Sequence, residues 1–172
     1  MFRQKDIKIL VFGSIFLILS FFLDSLVHKF FLSLQNSLFT FFFEGISFIS
    51  NFLAVGIILS FLFVLKRRYK TLSIFILSFF GLAVIVYTLK IFIARPRPSF
   101  GLEQGGDFSF PSGHASACFG AYPWIMKHFQ KLRGIWIVFS LLAVVSRLYL
   151  GVHYFSDVLS GVILGYFVSR CI

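Results

Sequence analysis

The sequence has few charged residues for its length, and acids are the scarcest of them. Of its 172 residues 13% are charged, with 6 Asp and Glu against 16 Lys and Arg, whereas soluble domains are about 25% charged. Hydrophobic residues make up 59% of the chain, and 27 residues are Phe. This composition excludes an ordinary soluble enzyme or a disordered chain and is typical of a protein that lies in a lipid bilayer.

Cysteine is equally scarce, and the two residues present exclude a disulfide framework. Cys118 lies early in one apolar segment and Cys171 ends another, so spanning segments would hold the thiols near opposite faces, beyond the ~7 Å reach of a bridge between Cα atoms. A zinc site formed by His114 and His153 would have no third ligand at a suitable spacing, and the neighbouring cations would repel a metal. We expect no disulfide, no metal and no cofactor.

The excess of Lys and Arg gives a net charge of +10, which in a soluble protein would suggest nucleic-acid binding. Here the positive charges lie in short clusters between apolar runs, without a soluble basic domain. That arrangement is typical of a membrane protein whose loops set its orientation and contact anionic lipid. We therefore expect the bilayer and a membrane lipid as partners, no nucleic acid and no obligatory protein partner.

The apolar runs predict an all-α polytopic bundle of six transmembrane helices, forming a single domain over residues 1–172. The first run leads directly to Asp24 without a cleavage site, which favours an uncleaved transmembrane helix over a signal peptide. Residues 34–43 predict a short interfacial helix after it. At ~1.5 Å per residue, runs of about 20 residues cross a ~30 Å core. The predicted spans are residues 9–23, 45–65, 71–89, 113–126, 134–150 and 153–169, the last three only with their polar ends included.

Lys and Arg are distributed unevenly between the two ends of these spans. Most fall at the end that holds both termini, in clusters at residues 3–8, 66–70 and 127–133. The positive-inside rule makes that end cytoplasmic. Four cations near the opposite end oppose this bias and require another explanation: Lys90, Arg95, Arg97 and Arg147.

Three polar stretches meet at that outer end: KIFIARPRPS (90–99), FPSGHAS (110–116) and SRLYLGVHYFSD (146–157). Several cations around one spot suit a group with two negative charges, and Arg offers planar, bidentate donors to phosphate oxygens. The turn PSGH (111–114) is expected to open a helix, whose free N–H groups bind phosphate readily. The sequence therefore predicts a phosphate site at the outer face.

The imidazoles in these stretches predict chemistry at that site. His153 and Asp157 are four residues apart, so on a helix they lie on one face. A carboxylate that holds one imidazole nitrogen leaves the other free to attack phosphorus. His114, from another span, would protonate the departing oxygen. A nucleophile, its orienting carboxylate and a general acid are thus predicted without a metal.

A three-part pattern within residues 90–157 resembles the signature of the type-2 phosphatidic acid phosphatase superfamily. Its parts are K-x6-R-P from Lys90 to Pro98, P-S-G-H from Pro111 to His114, and S-R-x5-H-x3-D from Ser146 to Asp157. The resemblance implies a membrane lipid phosphatase that requires no metal. It also implies that a phosphohistidine forms on His153, that Asp157 orients this ring, and that His114 protonates the leaving alcohol and then activates water.

The resemblance further implies which residues bind phosphate. The run RPRP holds two Arg-Pro pairs, and only the spacing from Lys90 selects Arg97 as the ligand. Arg95 is then a residue behind the ligands or a headgroup contact. The implied phosphate ligands are Lys90, Arg97, Arg147, Ser112 and the Gly113 amide.

The position of the site favours a lipid as substrate. A chain with almost no mass outside the membrane gives an outer-leaflet lipid sideways access, which a soluble ester does not need. Lipid A 1-phosphate, phosphatidylglycerol phosphate and undecaprenyl diphosphate fit equally well. We expect a multi-pass protein of the bacterial cytoplasmic (inner) membrane, with both termini cytoplasmic and the site periplasmic.

Three other functions compete with a phosphatase. A catalytically inactive protein that binds lipid phosphates keeps the same cations and stays an alternative. A channel with Arg-lined anion selectivity would distribute its charges through the depth of the bilayer, whereas these cluster at one face. Haloperoxidases share the signature, but they are soluble proteins, whereas this chain has the composition of a membrane protein.

Overall fold

The computed structural model describes residues 4–99, 101–102 and 108–170, with the backbone alone for residues 5–9. The all-α prediction is confirmed for this part of the chain, in which the helices are joined by short turns except for the longer connection from residue 94 to residue 112. Arg3, the side chains of Lys5 and Lys8, and Cys171 lie outside the described residues. The helices are α1 (Gln4–Ser33), α2 (Ser37–Ile49), α3 (Phe52–Leu65), α4 (Tyr69–Ile93), α5 (Gly113–His128), α6 (Arg133–Tyr149) and α7 (Phe155–Arg170).

Long apolar helices confirm that this is a membrane protein. Among the described residues, α1, α4 and the stretch Gln130–Tyr149, which is α6 with the 3-10 turn before it, are each long and apolar enough to cross a bilayer, and α2 with α3 forms a fourth crossing if the bent pair counts as one. The helices α5 and α7 have 16 residues each, shorter than the ~20 that a span needs. By length and composition alone, three or four spans are thus supported among the described residues, and the six predicted are not confirmed.

The uncharged run at residues 45–65 was predicted to be one continuous span, and that prediction is wrong. The helix breaks between α2 and α3, which meet at a bend of 59°. Asn51 causes the break, because its side-chain oxygen accepts from the Ala54 N–H at 2.9 Å and starts a new helix. The predicted interfacial helix at residues 34–43 accordingly extends to Ile49.

Helices α5 and α7 form the centre of the bundle, and glycines bring them together. A Cβ on Gly165 would lie 2.3 Å from the Ser116 carbonyl oxygen, and one on Gly161 would lie 2.5 Å from the Ser112 carbonyl oxygen. No side chain fits in that space. The close contact holds the beginning of α5 against the beginning of α7.

The remaining helices surround this pair and expose aromatic side chains outward. Phe22, Phe41 and Phe92 are each about four-fifths exposed, which in an aqueous protein would be costly and in a bilayer places apolar surface against lipid. Inside, an aromatic cluster that includes Phe63, Phe75 and Trp124 fills the bundle away from the polar end.

Candidate active site

The three signature stretches converge on one cavity of about 420 Å³. The reason is topological: α4 and α6 end where α5 and α7 begin, so their polar ends meet at one end of the bundle. Asn51 and neighbours at the start of α3 complete the wall. Six of the residues predicted from the sequence line this cavity: Lys90, Arg97, Gly113, His114, Arg147 and His153.

Lys90 and Arg97 reach the cavity from the end of α4 and the loop that follows. Ala94 adopts a left-handed backbone conformation with φ of 48° and donates its N–H to the Lys90 carbonyl, which ends the helix and turns the chain. The Lys90 side chain is buried, and its ammonium donates to the Phe108 carbonyl. The turn after α4 therefore folds back over the cavity with both cations inward.

Arg97 lies directly against His153. Its Nη1 donates to the Val152 carbonyl at 2.8 Å and lies 3.2 Å from Nε2 of His153. A nitrogen that accepts from a guanidinium carries no proton, so the proton of a neutral His153 lies on Nδ1. The Nε2 lone pair thus points to the guanidinium of Arg97, the cation that would hold a phosphate, and both residues line the cavity.

Asp157 lies behind His153 as predicted, although the two residues do not share a helix. The two residues were expected on one helical face, but α7 begins only at Phe155, and His153 lies in the turn before it. The turn brings Nδ1 of His153 within 3.5 Å of Oδ2 of Asp157. Catalytic hydrogen bonds are often this long before substrate binds. The same Oδ2 accepts from the Tyr154 N–H at 2.8 Å, which fixes the turn to the helix.

His114 and Arg147 are connected through Ser47, which the sequence analysis did not identify. The His114 ring hydrogen-bonds with the Ser47 backbone, and Nη1 of Arg147 donates to the Ser47 hydroxyl. Arg147 is only 4% exposed, so this neutral acceptor helps to hold its charge in place. The only sequence signal for Ser47 is a small polar residue within a Phe-rich run, four positions before Asn51.

The PSGH turn opens α5 as predicted, with Ser112 immediately before Gly113. Gly113 lines the cavity, but Ser112 is fully buried behind it. The Ser112 N–H donates to the Asp157 carbonyl at 2.9 Å, and its hydroxyl has no hydrogen-bond partner among the described residues. Of the two predicted phosphate ligands in this turn, Gly113 therefore lines the cavity and Ser112 does not.

Arg95 points away from the cavity and pairs with two carboxylates. Its guanidinium donates to Oδ1 of Asp157 at 2.6 Å and to Oδ2 of Asp24 at 2.7 Å. Asp24, on α1, was placed at the outer end by the sequence analysis but assigned no chemistry. No local pattern could connect it to the site, because 71 positions separate it from Arg95.

Among the described residues, no group of three His, Cys, Asp or Glu side chains is placed to hold a metal. The charge available to a bound anion comes instead from Lys90, Arg97 and Arg147, while two imidazoles face the same space. Such an arrangement can bind a phosphate dianion, attack its phosphorus from one side and donate a proton from another.

Comparison with known families and proteins agrees with this geometry. A model of the PAP2 superfamily, the type-2 phosphatidic acid phosphatases, matches residues 71–172, more than half of the chain. The chain is 40% identical to phosphatidylglycerophosphatase B of Bacillus subtilis (strain 168) over 89 residues, covering 45% of this chain and 44% of that protein. It is 31% identical to the undecaprenyl-diphosphatase of Sulfolobus acidocaldarius over 116 residues, covering 63% of this chain and 56% of that protein.

The similarity in structure extends further than the similarity in sequence. The crystal structure of a transmembrane PAP2-type phosphatidylglycerolphosphate phosphatase from Bacillus subtilis superposes with a TM-score of 0.80 at 26% identity, covering 98% of this chain and 94% of that one. The sequence matches span about half the length of the curated relatives, whereas the fold matches along almost the whole chain.

Proposed function

Because the chain belongs to the PAP2 superfamily, we propose that it is a lipid phosphatase that removes phosphate from a phosphate monoester or diphosphate of a membrane lipid. The observation that carries this proposal is the cavity in which three cations and two imidazoles converge at the end of an apolar bundle. Cations there offset the charge of a phosphate group, and the surrounding lipid supplies a substrate whose tail stays in the bilayer.

In the first step, the Nε2 lone pair of His153 attacks phosphorus and forms a P–N bond. The P–O bond to the lipid breaks, and the departing oxygen takes its proton from His114. The His153 ring then carries a positive charge, which the Asp157 carboxylate stabilises from the Nδ1 side. Lys90, Arg97 and Arg147, with the Gly113 amide and Ser112 beside them, stabilise the charge on the transferring phosphoryl group.

In the second step, His114 accepts a proton from water, and the resulting hydroxide attacks phosphorus. The P–N bond breaks, inorganic phosphate forms, and His153 returns to its neutral state. The reaction requires His153 without a proton on Nε2 and His114 with its ring protonated. The rate should therefore rise and then fall with pH, the acidic limb reporting His153 and the alkaline limb His114.

The proposed arrangement in the membrane has six crossings: α1, the bent pair α2–α3, and α4 to α7. The short central helices α5 and α7 are enclosed by the others, which suits crossing with polar residues at their ends. Exposed cations such as Arg67, Lys127 and Lys131 occur at the end opposite the cavity, which by the positive-inside rule is cytoplasmic. Both termini would then be cytoplasmic in a bacterial inner membrane, with the site periplasmic.

The names of two relatives, a phosphatidylglycerophosphatase and an undecaprenyl-diphosphatase, support a lipid substrate. Lipid A 1-phosphate is the third candidate, because its phosphate is a monoester like the terminal phosphate of phosphatidylglycerol phosphate. We propose that the enzyme acts on one of these lipids without a metal, a cofactor or a protein partner.

Phosphate release by the purified protein in detergent and EDTA tests the proposal. Wild type and His153→Ala would each be given the three lipids and a soluble phosphate monoester. We expect release from at least one lipid above the soluble ester, its loss in the variant, and inhibition by vanadate, which mimics the pentavalent phosphorus.

Two results would reject the proposal. Activity that EDTA abolishes would contradict the metal-independent mechanism. Folded wild-type protein that binds lipid phosphate but releases none would instead establish the alternative, a catalytically inactive lipid-phosphate-binding membrane protein.

A further inference from the structure

Asp24 is a buried carboxylate in a helix that otherwise faces lipid. Its side chain is 8% exposed, and a charge at membrane depth costs on the order of 3 kcal/mol on insertion scales. Its Oδ1 accepts from the Ser156 N–H at 2.8 Å, and its Oδ2 accepts from the Ser156 hydroxyl at 2.6 Å. Asp24 therefore holds the first turn of α7 from another helix, at the residue adjacent to Asp157.

Arg95 connects this carboxylate to the one behind the nucleophile. Nη2 donates to Asp24, while Nη1 donates to Oδ1 of Asp157, the oxygen that does not face His153. The guanidinium also lies over the Tyr154 ring, 4.1 Å from its centroid, which fixes its plane. Neither Asp24 nor Arg95 is among the described residues that line the cavity, so neither contacts a bound phosphate.

The three charged groups sum to a single negative charge. Arg95 alone would neutralise Asp157 and remove the charge that stabilises a positively charged His153 ring. With Asp24 added, the cluster of Asp24, Arg95 and Asp157 has a net charge of −1, which balances the imidazolium or phosphoimidazolium state of His153. The cluster thus keeps Asp157 both oriented and effectively anionic.

We propose that Asp24 is a positioning residue of the active site, which acts through Arg95 to set the orientation and the net charge of Asp157 behind His153. This inference rests on the proposed phosphatase function. It differs from an ordinary structural role because it predicts changes in catalysis that depend on the sign of the charge removed.

Other charged and titratable groups also face His153 and must stay constant in the test. They come from every element around it and belong to the proposed substrate site. They are Asp157 on α7, Arg97 and Lys90 from the end of α4, His114 on α5 and Arg147 on α6.

The test is a double-mutant cycle of Asp24→Asn and Arg95→Gln in the full-length protein, with kcat and KM measured against pH. Asp24→Asn leaves the cluster neutral, so His153 holds its proton less tightly and the acidic limb should move about one unit to lower pH. Arg95→Gln leaves a net charge of −2, so the limb should move by about as much to higher pH. The double variant restores −1 and should return the limb to within a few tenths of a unit.

Each single variant in this cycle should have a lower kcat than wild type. Its KM should stay within about twofold of the wild-type value, because neither residue contacts the substrate. We expect a loss of about 10- to 100-fold in kcat for each single variant, as for other groups that orient a reactive side chain. Asp24→Glu retains the charge, so its acidic limb should match wild type whatever its kcat. Glu44→Gln removes an exposed acid on α2 and should change neither quantity.

The outcomes separate the inference from the function on which it rests. If the wild type is active, His153→Ala is inactive, and both single variants move the limb in the same direction or leave it in place, Asp24 is merely structural and the inference is wrong. If the Asp24→Asn protein does not fold, two other variants decide the question: Arg95→Gln should move the limb to higher pH, while Asp24→Glu should leave it in place. No phosphate release by wild type would overturn both proposals.

Discussion

At the scale of single residues, the site depends on neutral groups as much as on charged ones. Ser47 is the clearest example, because its hydroxyl accepts from Arg147 and its backbone contacts His114. Without this acceptor, the buried guanidinium would lose the partner of one of its donors. The serine thereby connects a proposed phosphate ligand to the proposed general acid.

Replacing Ser47 by Ala tests this connection. The backbone contact to His114 stays, while Arg147 loses an acceptor and its fixed orientation. We expect kcat/KM to fall about tenfold, mainly through a higher KM, the size of one hydrogen bond to a charged group. Steady-state kinetics in detergent measure both terms. Ser73→Ala is the matched control, since Ser73 is exposed and its hydroxyl donates to the Tyr69 carbonyl of its own helix. Equal KM values in the two variants would contradict the role of Ser47.

At the scale of helices, the contact between α5 and α7 decides whether the site exists. His114 lies at the start of α5 and Asp157 in the first turn of α7, so the distance between these helix ends sets the distance between acid and orienting carboxylate. Gly165 allows that contact because any side chain would meet the backbone of α5. The packing of two helices thus controls the geometry of the chemistry.

The substitution Gly165→Ala should therefore destabilise the protein and increase the distance between His114 on α5 and Asp157 on α7. A Cβ 2.3 Å from the Ser116 carbonyl forces the backbones apart, and such overpacking typically costs about 1–3 kcal/mol. Thermal unfolding in detergent should show a lower Tm, together with lower phosphate release. Gly81→Ala is the comparison, because a Cβ there meets nothing within 4 Å. A Tm for Gly165→Ala equal to that of Gly81→Ala would reject this account of the packing.

At the scale of the whole molecule, charge and apolar surface together set the orientation. Exposed aromatic residues surround the bundle, the cavity lies at one end, and exposed cations such as Lys131 lie at the other. Positively charged loops are retained on the cytoplasmic side during insertion. The cavity should then face the periplasm.

Cysteine labelling in intact cells tests this orientation. In a Cys171→Ser background that keeps the buried Cys118, a membrane-impermeant maleimide should label Ser33→Cys, an exposed position where α1 ends before α2, at the cavity end. It should label Lys131→Cys only after the cells are permeabilised. The opposite pattern would place the cavity in the cytoplasm.

The membrane class, most of the helices and most of the site residues were predictable from the sequence, because these properties depend on local sequence patterns. Composition determined the membrane class, apolar runs predicted the helices, and the spacing between Lys90 and Asp157 identified the family and the residues that converge on one cavity. These properties depend on residues close together in the chain or on the order of motifs, and neither requires knowledge of distant contacts.

The tertiary structure alone decided how those residues are supported. In the folded protein, the run at residues 45–65 is divided into two helices, and Ser47 lies at the site. His153 lies in a turn rather than on a helix. Folding also brings Asp24 to Ser156, 132 positions away. The physical reason is that a buried polar group must find its partner wherever folding places one, and that partner is set by helix packing rather than by sequence spacing.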